Sequence, residues 1–335
     1  MELTLNDLTT GAQKTIRASY VIASDGDLEE GVTSEASSLA GTQKLGNLHV
    51  VWDDNKISIE DDTNIAFTED VAARYRAYGW DVREVSWRTP KGYVEDVPAL
   101  HDAIQAAKSE TSKPSLIILK TIIGWPAPSK QNTGKIHGSA LGADEAKATK
   151  VALGWDPEAS FVVPEDVLAH TRSLKDRAAV IRADWQKSFD EWAARNTEGK
   201  KLLDRLTAGE LPAEIDASLP VFDGGTSLAT RAASGKVLNA IAAVMPELWG
   251  GSSDLAESNL TTIDGAKSFV PSEHSTHHWS GDPYGRVLHF GIREHAMGAI
   301  LNGIAIDGLT RPFGGTFLVF SDYMRGAVRL AALMQ

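Results

Sequence analysis

The turn Ser24–Gly31 is the part of the sequence whose residue types are best suited to chemistry. It joins a short apolar stretch to a helical pattern, and it contains Asp25 and Gly26. Asn55 follows the next apolar stretch, Leu48–Trp52. Because neighbouring parallel strands end at one edge of a sheet, Asp25 and Asn55 are expected to face one point there. A carboxylate and an amide oxygen suit Mg²⁺, and a glycine lets the backbone approach a phosphate closely.

Structural interpretations of the same residue types stay open. An acidic strand-to-helix turn also caps a helix, and Glu294, at a second such turn, also complements a helix dipole. The aromatic residues Phe317, Phe320 and Tyr323 ordinarily pack in a core.

A histidine-rich segment has the composition of a metal site, with Glu273, His274, His277 and His278 close in sequence. It lacks a clear helix to align these ligands, and zinc sites need defined spacing, so a polar loop is expected.

The first half of the chain alternates strand-like and helix-like segments, which predicts βαβ units and a parallel sheet covered by helices. The predicted strands are Tyr20–Ser24, Leu48–Trp52, Asp81–Trp87 and Ser115–Ile123, and the predicted helices are Gly31–Leu45, Glu69–Tyr78 and Val94–Lys108. Residues 124–163 are expected to be irregular, and a loop of that length is usually functional or a linker.

The second half resumes the α/β pattern after a long amphipathic helix at about 165–195 and a linker rich in Gly, Pro and Asp. Ser234 is expected to cap a helix that precedes Pro246. Further strands are predicted at Glu247–Gly251, Arg286–Phe290 and Arg311–Phe320, and further helices at Glu294–Ile306 and Tyr323–Met334.

Composition excludes several classes of protein. The 335 residues carry 33 basic and 45 acidic side chains, and this net charge of −12 disfavours nucleic acid and anionic membranes as partners. No cysteine is present, which excludes disulfides, thiolate metal ligands and a cysteine nucleophile. No signal peptide or membrane span is evident, so a cytoplasmic protein is expected.

A series of sequence motifs resembles the transketolase family of thiamine diphosphate enzymes, beyond the Asp-Gly turn and the Asn thirty positions later. The matching words run from about Tyr20 to the last residue: EGVTSEASSLAG, DDNKISIEDDT, RYRAYGW, GKIHGSALG, ATRAASG, LWGGSSDLAESN, HFGIREHAMGAILNGI and GGTFLVFSDYMRGAVRLAAL. One departure is Ser24, where many family members have glycine.

The resemblance implies a role for each candidate residue. In the first half, Asp25, Asn55 and the carbonyl of Ile57 would hold Mg²⁺ (or Ca²⁺ or Mn²⁺) bridging the cofactor diphosphate, which Gly26 would contact. His137 would contact cofactor phosphate and substrate oxygen.

In the second half, Glu294 would hydrogen bond to the ring nitrogen of the aminopyrimidine, and Asp254 would line the cofactor pocket. Phe317, Phe320 and Tyr323 would pack against the pyrimidine ring. Arg231 and Ser258 would bind the sugar phosphate. Glu30 and Glu35 match carboxylates near the family's dimer interface.

The implied activity is transfer of a two-carbon ketol unit between sugar phosphates in the pentose phosphate pathway, by a cytoplasmic homodimer. The implied fold is α/β, with a diphosphate-binding domain at 1–205, a linker at 206–225 and a pyrimidine-binding domain at 226–335, both truncated. Family sequences extend beyond both ends, so the chain alone is expected to be inactive and marginally stable. The alternatives are a non-catalytic cofactor-binding or regulatory fragment, one subunit of a split enzyme, and an unrelated nucleotide-binding enzyme. The last is disfavoured because no G-x-G-x-x-G or G-x-x-x-x-G-K-[ST] motif follows a strand.

Overall fold

A computed structural model of the chain describes residues 19–335, and most of its strands form two parallel sheets. The strands are β1 (Ser19–Ala23), β2 (Leu48–Asp54), β3 (Ile57–Ser58), β4 (Asp61–Asp62), β5 (Asp81–Ser86), β6 (Arg88–Thr89), β7 (Gly92–Tyr93), β8 (Ser115–Lys120), β9 (Leu248–Ser252), β10 (Ser268–Phe269), β11 (Gly281–Asp282), β12 (Val287–His289) and β13 (Arg311–Gly315).

Helices separate most of these strands. The α-helices are α1 (Asp25–Glu29), α2 (Gly31–Thr42), α3 (Val71–Ala77), α4 (Val97–Ser109), α5 (Ala143–Ala152), α6 (Glu165–Arg172), α7 (Leu174–Arg195), α8 (Thr197–Thr207), α9 (Ile215–Ser218), α10 (Thr230–Val244), α11 (Ala256–Asn259), α12 (Glu294–Asp307) and α13 (Arg325–Met334). Short 3-10 helices lie at Thr63–Ile65, Gly134–Ile136, Ser272–His274 and Leu318–Met324. No helix within residues 19–335 is long and apolar enough to cross a membrane.

Packing divides the chain into two units, each discontinuous in sequence. Among the described residues, the first contains 19–30 together with Leu45–Arg195, and the second contains Gly31–Lys44 and Asn196–Gln335. Helix α2 therefore belongs to the second unit, although it directly follows the acidic turn in sequence.

The first unit is built on a parallel sheet in the order β1-β2-β8-β5. Strand β8 is central and almost continuously buried, as expected for a parallel strand covered on both faces. Its Ile117 and Leu119 pack with Val85 and with Ala107 of α4. Strand β1 forms one edge, with Ile22 82% exposed, whereas Asp25 and Asn55 follow β1 and its neighbour β2 at the carboxyl edge.

The second unit has a five-stranded parallel sheet in the order β11-β10-β12-β9-β13. One core cluster packs Ala242 and Met245 of the α10 end against Leu248, Ile263 and Val287. A second cluster joins α2 to α12 through Leu39, Phe290 and Met297, together with Leu288. The two parallel sheets confirm the predicted α/β class.

Several predicted elements are wrong in extent. The strand expected at Arg311–Phe320 ends at Gly315 and is followed by a 3-10 helix, and the single helix expected at 165–195 is two helices separated at Ser173. Residues 124–163, expected to be irregular, contain α5. Ser234 lies inside α10, which begins after Ala229, so it does not cap that helix.

Candidate cation and cofactor site

The acidic turn at the end of β1 does cap a helix, but Asp25 is not the residue that does it. Ser24 is the N-cap of α1: its backbone N–H and its hydroxyl both donate to Asp27 Oδ2, at 2.8 and 2.9 Å. In return Asp27 N donates to Ser24 Oγ at 3.4 Å, which completes a capping box. The start of the helix is thus satisfied without the Asp25 carboxylate.

Asp25 instead joins the ends of β1 and β2. Its carboxylate is buried, and Oδ2 accepts hydrogen bonds from the backbone N–H groups of Asn55 (3.1 Å) and Lys56 (3.0 Å). Asn55 Oδ1 in turn accepts from Ile57 N at 3.0 Å. The structure therefore brings Asp25 and Asn55 together at the sheet edge, with the backbone N–H of Ile57 beside them.

The second carboxylate oxygen of Asp25, Oδ1, is buried and has no hydrogen-bond partner. Burial, followed by the neighbouring Asp54 carboxylate, raises the pKa of Asp25 from 3.8 to about 6, against the opposing effect of the Asn55 and Lys56 amides and the Lys56 charge. The Lys56 ammonium lies 2.9 Å from Asp54 Oδ1. A buried carboxylate oxygen without a partner, close to the Asn55 amide oxygen, provides oxygen donors that fit a hard divalent cation.

The Asn55 turn is held by residues that no sequence motif singles out. Arg88 Nη2 donates to the Asn55 carbonyl oxygen at 2.5 Å, and Arg88 Nε donates to the Thr121 carbonyl oxygen. Thr121 Oγ1 donates to Asp53, whose other oxygen accepts from Asn55 Nδ2 at 3.3 Å. No motif signals these contacts, because they depend on the short β6–β7 hairpin that carries Arg88 to the sheet edge.

Gly26 is not required by the fold. A Cβ built at Gly26 meets no atom within 4 Å, and its backbone does not have a positive φ. The space beside Gly26 is open, so a requirement for glycine there would come from a ligand and not from the chain.

His137 ends the 3-10 turn Gly134–Ile136 and is half-buried, with its backbone N–H donating to the Gly134 carbonyl at 3.1 Å. The preceding loop is fixed by Glu145 of α5. This carboxylate accepts from Ser129 N (2.7 Å), Ser129 Oγ (2.6 Å) and Lys130 N (3.1 Å). The unexpected helix α5 therefore anchors the loop that carries His137.

In the second unit, Glu294 is the first residue of α12, and it is buried. Glu35 of α2 accepts a hydrogen bond from Ala296 N at 3.0 Å, so a second carboxylate lies on the same helix N-terminus. Arg293 ties the turn together by donating to Phe290 O (3.0 Å) and Ser38 Oγ (3.1 Å). The helix dipole stabilises negative charge here, and the side-chain cap comes from Glu35.

Phe317, Phe320 and Tyr323 form a row of neighbouring rings outside the core. The ring centroids of Phe317 and Phe320 are 5.9 Å apart and those of Phe320 and Tyr323 are 6.1 Å apart. Phe317 is 41% exposed and Tyr323 66% exposed. These residues therefore do not serve core packing, and their faces are open to a planar ligand or a partner surface.

The remaining candidates lie on α10, on α11 and in the turn after β9. Arg231 is exposed in the first turn of α10, and Ser258 is half-buried on α11, which packs against α10 and β9. Asp254 is exposed with φ +58°, a left-handed conformation that aspartate tolerates better than most residues and that recurs at binding sites.

The histidine-rich segment forms no metal site. Within the described part of the chain, no three or more His, Asp or Glu side chains are arranged to hold a metal ion. Glu273 is instead paired with Lys44 at 2.5 Å, and the rings of His277 and His278 stack on each other.

Comparison with known proteins identifies two successive regions of the chain, whose bounds differ from those of the two packing units. Residues 4–212 match the family described as transketolase, thiamine diphosphate binding domain, and residues 226–335 match transketolase, pyrimidine binding domain. The chain is 58% identical over 329 residues to a transketolase of Mycobacterium tuberculosis, a match covering 98% of this chain and 46% of that protein. It is 46% identical to a transketolase of Geobacillus stearothermophilus, over 94% of this chain and 45% of that protein.

Solved structures agree. A Pichia stipitis transketolase in complex with sedoheptulose 7-phosphate superposes with a TM-score of 0.87 at 44% identity, covering 94% of this chain and 46% of that one. A transketolase from Leishmania mexicana gives a TM-score of 0.86 at 38% identity, covering 94% and 45%. The chain thus spans about half the length of the relatives it matches.

Proposed function

The chain belongs to the transketolase family, and from that premise we propose that it acts in ketol transfer. The reaction moves a two-carbon unit from a ketose phosphate to an aldose phosphate, with thiamine diphosphate and a divalent cation such as Mg²⁺. The observation that carries the proposal is the buried, unpartnered Oδ1 of Asp25 at the carboxyl edge of the first sheet. The sugar phosphates named for the Pichia stipitis complexes, such as xylulose 5-phosphate, are ketoses of the proposed donor class.

Residues of the first unit would hold the charged end of the cofactor. Asp25, Asn55 and the Ile57 carbonyl would bind the cation, and the open space beside Gly26 would receive the diphosphate. A bound cation would pair with the buried Asp25 carboxylate. It would thereby lower the pKa of Asp25, against the effect of burial. His137 would contact phosphate and substrate oxygens.

In the proposed homodimer, residues of the second unit of the other chain would act on the reactive end of the cofactor. Thiamine diphosphate supplies, when bound, a carbon nucleophile and an electron sink for the two-carbon unit. Glu294 would hold a proton at the ring nitrogen of the aminopyrimidine, within a turn that Glu35 fixes. Phe317, Phe320 and Tyr323 would stack on the planar ring, and Asp254 would line the same pocket.

Arg231 and Ser258 would bind the sugar phosphate, since a guanidinium and a hydroxyl both donate to phosphate oxygens. We place the protein in the cytoplasm and in the pentose phosphate pathway. We also propose that it works as a homodimer or together with a complementing segment, with residues 1–205 as the diphosphate domain and 226–335 as the pyrimidine domain.

Calorimetric titration of the 335-residue chain with thiamine diphosphate, with and without Mg²⁺, tests the binding site. Asp25→Asn keeps an oxygen for the Asn55 and Lys56 amides and removes the charge. We expect Mg²⁺-dependent binding that this variant weakens about tenfold or more. Asp70→Asn is the matched control, because Asp70 is exposed and only caps α3, a task that asparagine also performs. Binding that ignores both Mg²⁺ and Asp25→Asn would refute the site.

The second candidate function is a cofactor-binding fragment without turnover, favoured by the chain's 46% coverage of its relatives. Turnover of xylulose 5-phosphate and ribose 5-phosphate separates the two functions. The chain is assayed alone and mixed with the remaining segments of the Mycobacterium tuberculosis relative. We expect turnover only in the mixture, and Asp25→Asn to abolish it. Cofactor binding with no turnover in either assay would favour the fragment, and robust turnover by the chain alone would contradict the need for complementation.

A further inference from the structure

The β3–β4 hairpin, residues 57–62, connects the Asp25 site to the turn that carries His137. At its first residue, Ile57 N donates to Asn55 Oδ1 at 3.0 Å, and Ile57 pairs with Asp62 across the hairpin. At its other end, Asp61 Oδ1 accepts a hydrogen bond from Gly134 N at 2.9 Å. The Gly134 carbonyl then accepts from His137 N at 3.1 Å.

The two segments approach so closely that a side chain at residue 134 would be tightly confined. A Cβ at Gly134 would lie 3.0 Å from the Ile59 carbonyl oxygen and 3.2 Å from the N and Cα atoms of Asp61. These neighbours are backbone atoms of a paired hairpin and cannot rotate away. The Gly134–Ile136 turn is therefore seated on the hairpin backbone, with the Asp61 carboxylate bonded to its first amide.

Asp61 makes this contact from an unfavourable backbone conformation. Its φ is +98°, a region that glycine adopts far more readily than any residue with a side chain. Glycine at residue 61 would therefore suit the backbone conformation of the hairpin better than aspartate does. The Ser58 hydroxyl donates to the Asp61 carbonyl at 3.3 Å and supports the backbone, but that bond needs no carboxylate. What the carboxylate adds is the bond to Gly134.

We propose that Asp61 is a positioning residue: its carboxylate clamps the Gly134–His137 turn to the hairpin that carries Ile57, and so holds His137 at the cofactor's phosphate groups. The role of His137 rests on the proposed function, whereas the clamp rests on the contacts above. Asp61 does not touch the cation site itself, so its loss should leave cation affinity intact while loosening the histidine turn.

Two substitutions at Asp61 separate positioning from folding. Asp61→Gly removes the carboxylate and relieves the positive φ, so we expect its melting temperature to equal or exceed that of the unmodified chain. Asp61→Asn retains an oxygen acceptor and tolerates the same backbone conformation, so it should behave like the unmodified chain. Glu145→Gln is the control. It weakens the hydrogen bonds from Ser129 and Lys130 to residue 145 and leaves the bond from Gly134 N to Asp61 in place.

Hydrogen exchange of the Gly134 amide in the full chain is the decisive measurement. We expect about tenfold faster exchange in Asp61→Gly, from the loss of a charge-assisted hydrogen bond, with rescue in Asp61→Asn. Thiamine diphosphate affinity in the presence of Mg²⁺ should fall in Asp61→Gly and recover in Asp61→Asn. The affinity for Mg²⁺ alone should be the same in the unmodified chain, in Asp61→Gly and in Asp61→Asn.

Unchanged exchange at Gly134 in Asp61→Gly would overturn the clamp. Faster exchange with undiminished cofactor affinity would overturn the positioning role. Failure of the proposed function would give a different result, because the unmodified chain would then bind no thiamine diphosphate. Hydrogen exchange of the Gly134 amide would still decide whether Asp61 clamps the turn.

Discussion

Replacing Asp25 with asparagine should stabilise the cation-free chain at neutral pH and leave it unchanged in acid. The carboxylate is buried, and its Oδ1 lacks a partner. Asparagine keeps an oxygen for the two backbone amides and places an uncharged group where the ionised oxygen was. The substitution therefore removes a buried charge without removing the hydrogen bonds that join β1 to β2.

The magnitude follows from the pKa of Asp25, which burial and then Asp54 raise from 3.8 to about 6. At about pH 3, well below 3.8, the carboxyl is mostly protonated in both the folded and the unfolded chain, so it costs almost nothing. Between pH 3.8 and about pH 6 the carboxyl of the unfolded chain loses its proton before that of the folded chain. The free energy of unfolding therefore falls as the pH rises through this range. Above pH 6 the full cost applies, and the difference between 3.8 and 6 corresponds to about 3 kcal/mol.

Urea unfolding in EDTA, followed for both proteins from about pH 3 to pH 8, measures this difference. We expect the two free energies of unfolding to coincide at the acid end and to separate by up to about 3 kcal/mol at pH 8, with Asp25→Asn the more stable protein. Saturating Mg²⁺ should stabilise only the unmodified chain. A gap that does not change with pH would refute the reasoning, because it would assign the effect to packing and not to charge.

Three further predictions concern the second unit. Arg205 makes two hydrogen bonds to the buried Glu247 carboxylate, at 2.7 and 2.9 Å, so Glu247→Gln should cost about 2 kcal/mol in urea unfolding. Burial lowers the pKa of His289 from 6.5, so the stability of this unit should fall as pH drops below 6.5, and His289→Gln should remove that dependence in hydrogen-exchange measurements. Phe317→Ala should cost less than about 1 kcal/mol of stability because the ring is 41% exposed, yet weaken thiamine diphosphate binding in calorimetry. The buried Phe290→Ala provides the contrast, with an expected loss of about 3–5 kcal/mol.

Hydrophobic patterning predicts the sheets of this protein better than it predicts their ends. The strand expected at Ser115–Ile123 exists as β8, because a continuous run of buried β-branched and leucine side chains has few alternatives in a parallel sheet. The strand expected at Arg311–Phe320 stops at Gly315. A Cβ at Gly314 would meet the Leu301 side chain at 2.5 Å, so the chain passes close to α12 there before turning into a 3-10 helix. Such a tertiary approach leaves no periodic signal in the sequence.

The residues of the candidate site likewise fall into those that the sequence predicts and those that it does not. Asp25 and Asn55 could be predicted because a short motif places them at neighbouring strand ends, and the ends of parallel strands coincide. Arg88 and Asp61 could not, since each lies on a hairpin of two-residue strands whose position depends on the finished fold. Helix α2 shows the same limit: it follows the acidic turn in sequence, yet it packs in the second unit, where Glu35 caps α12.

Within the acidic turn, folding accounts for the polar groups of Ser24 and Asp27, which bond to one another in a capping box, but not for the Asp25 carboxylate. Asp25 satisfies two amides with Oδ2, but its charge is buried beside Asp54 and raises the free energy of the folded chain. An amide would make the same bonds without that cost. A carboxylate at this position therefore becomes favourable when a further positive charge joins it, and its oxygen-rich surroundings suit the hard divalent cation that we propose for this site better than a zinc-type ion.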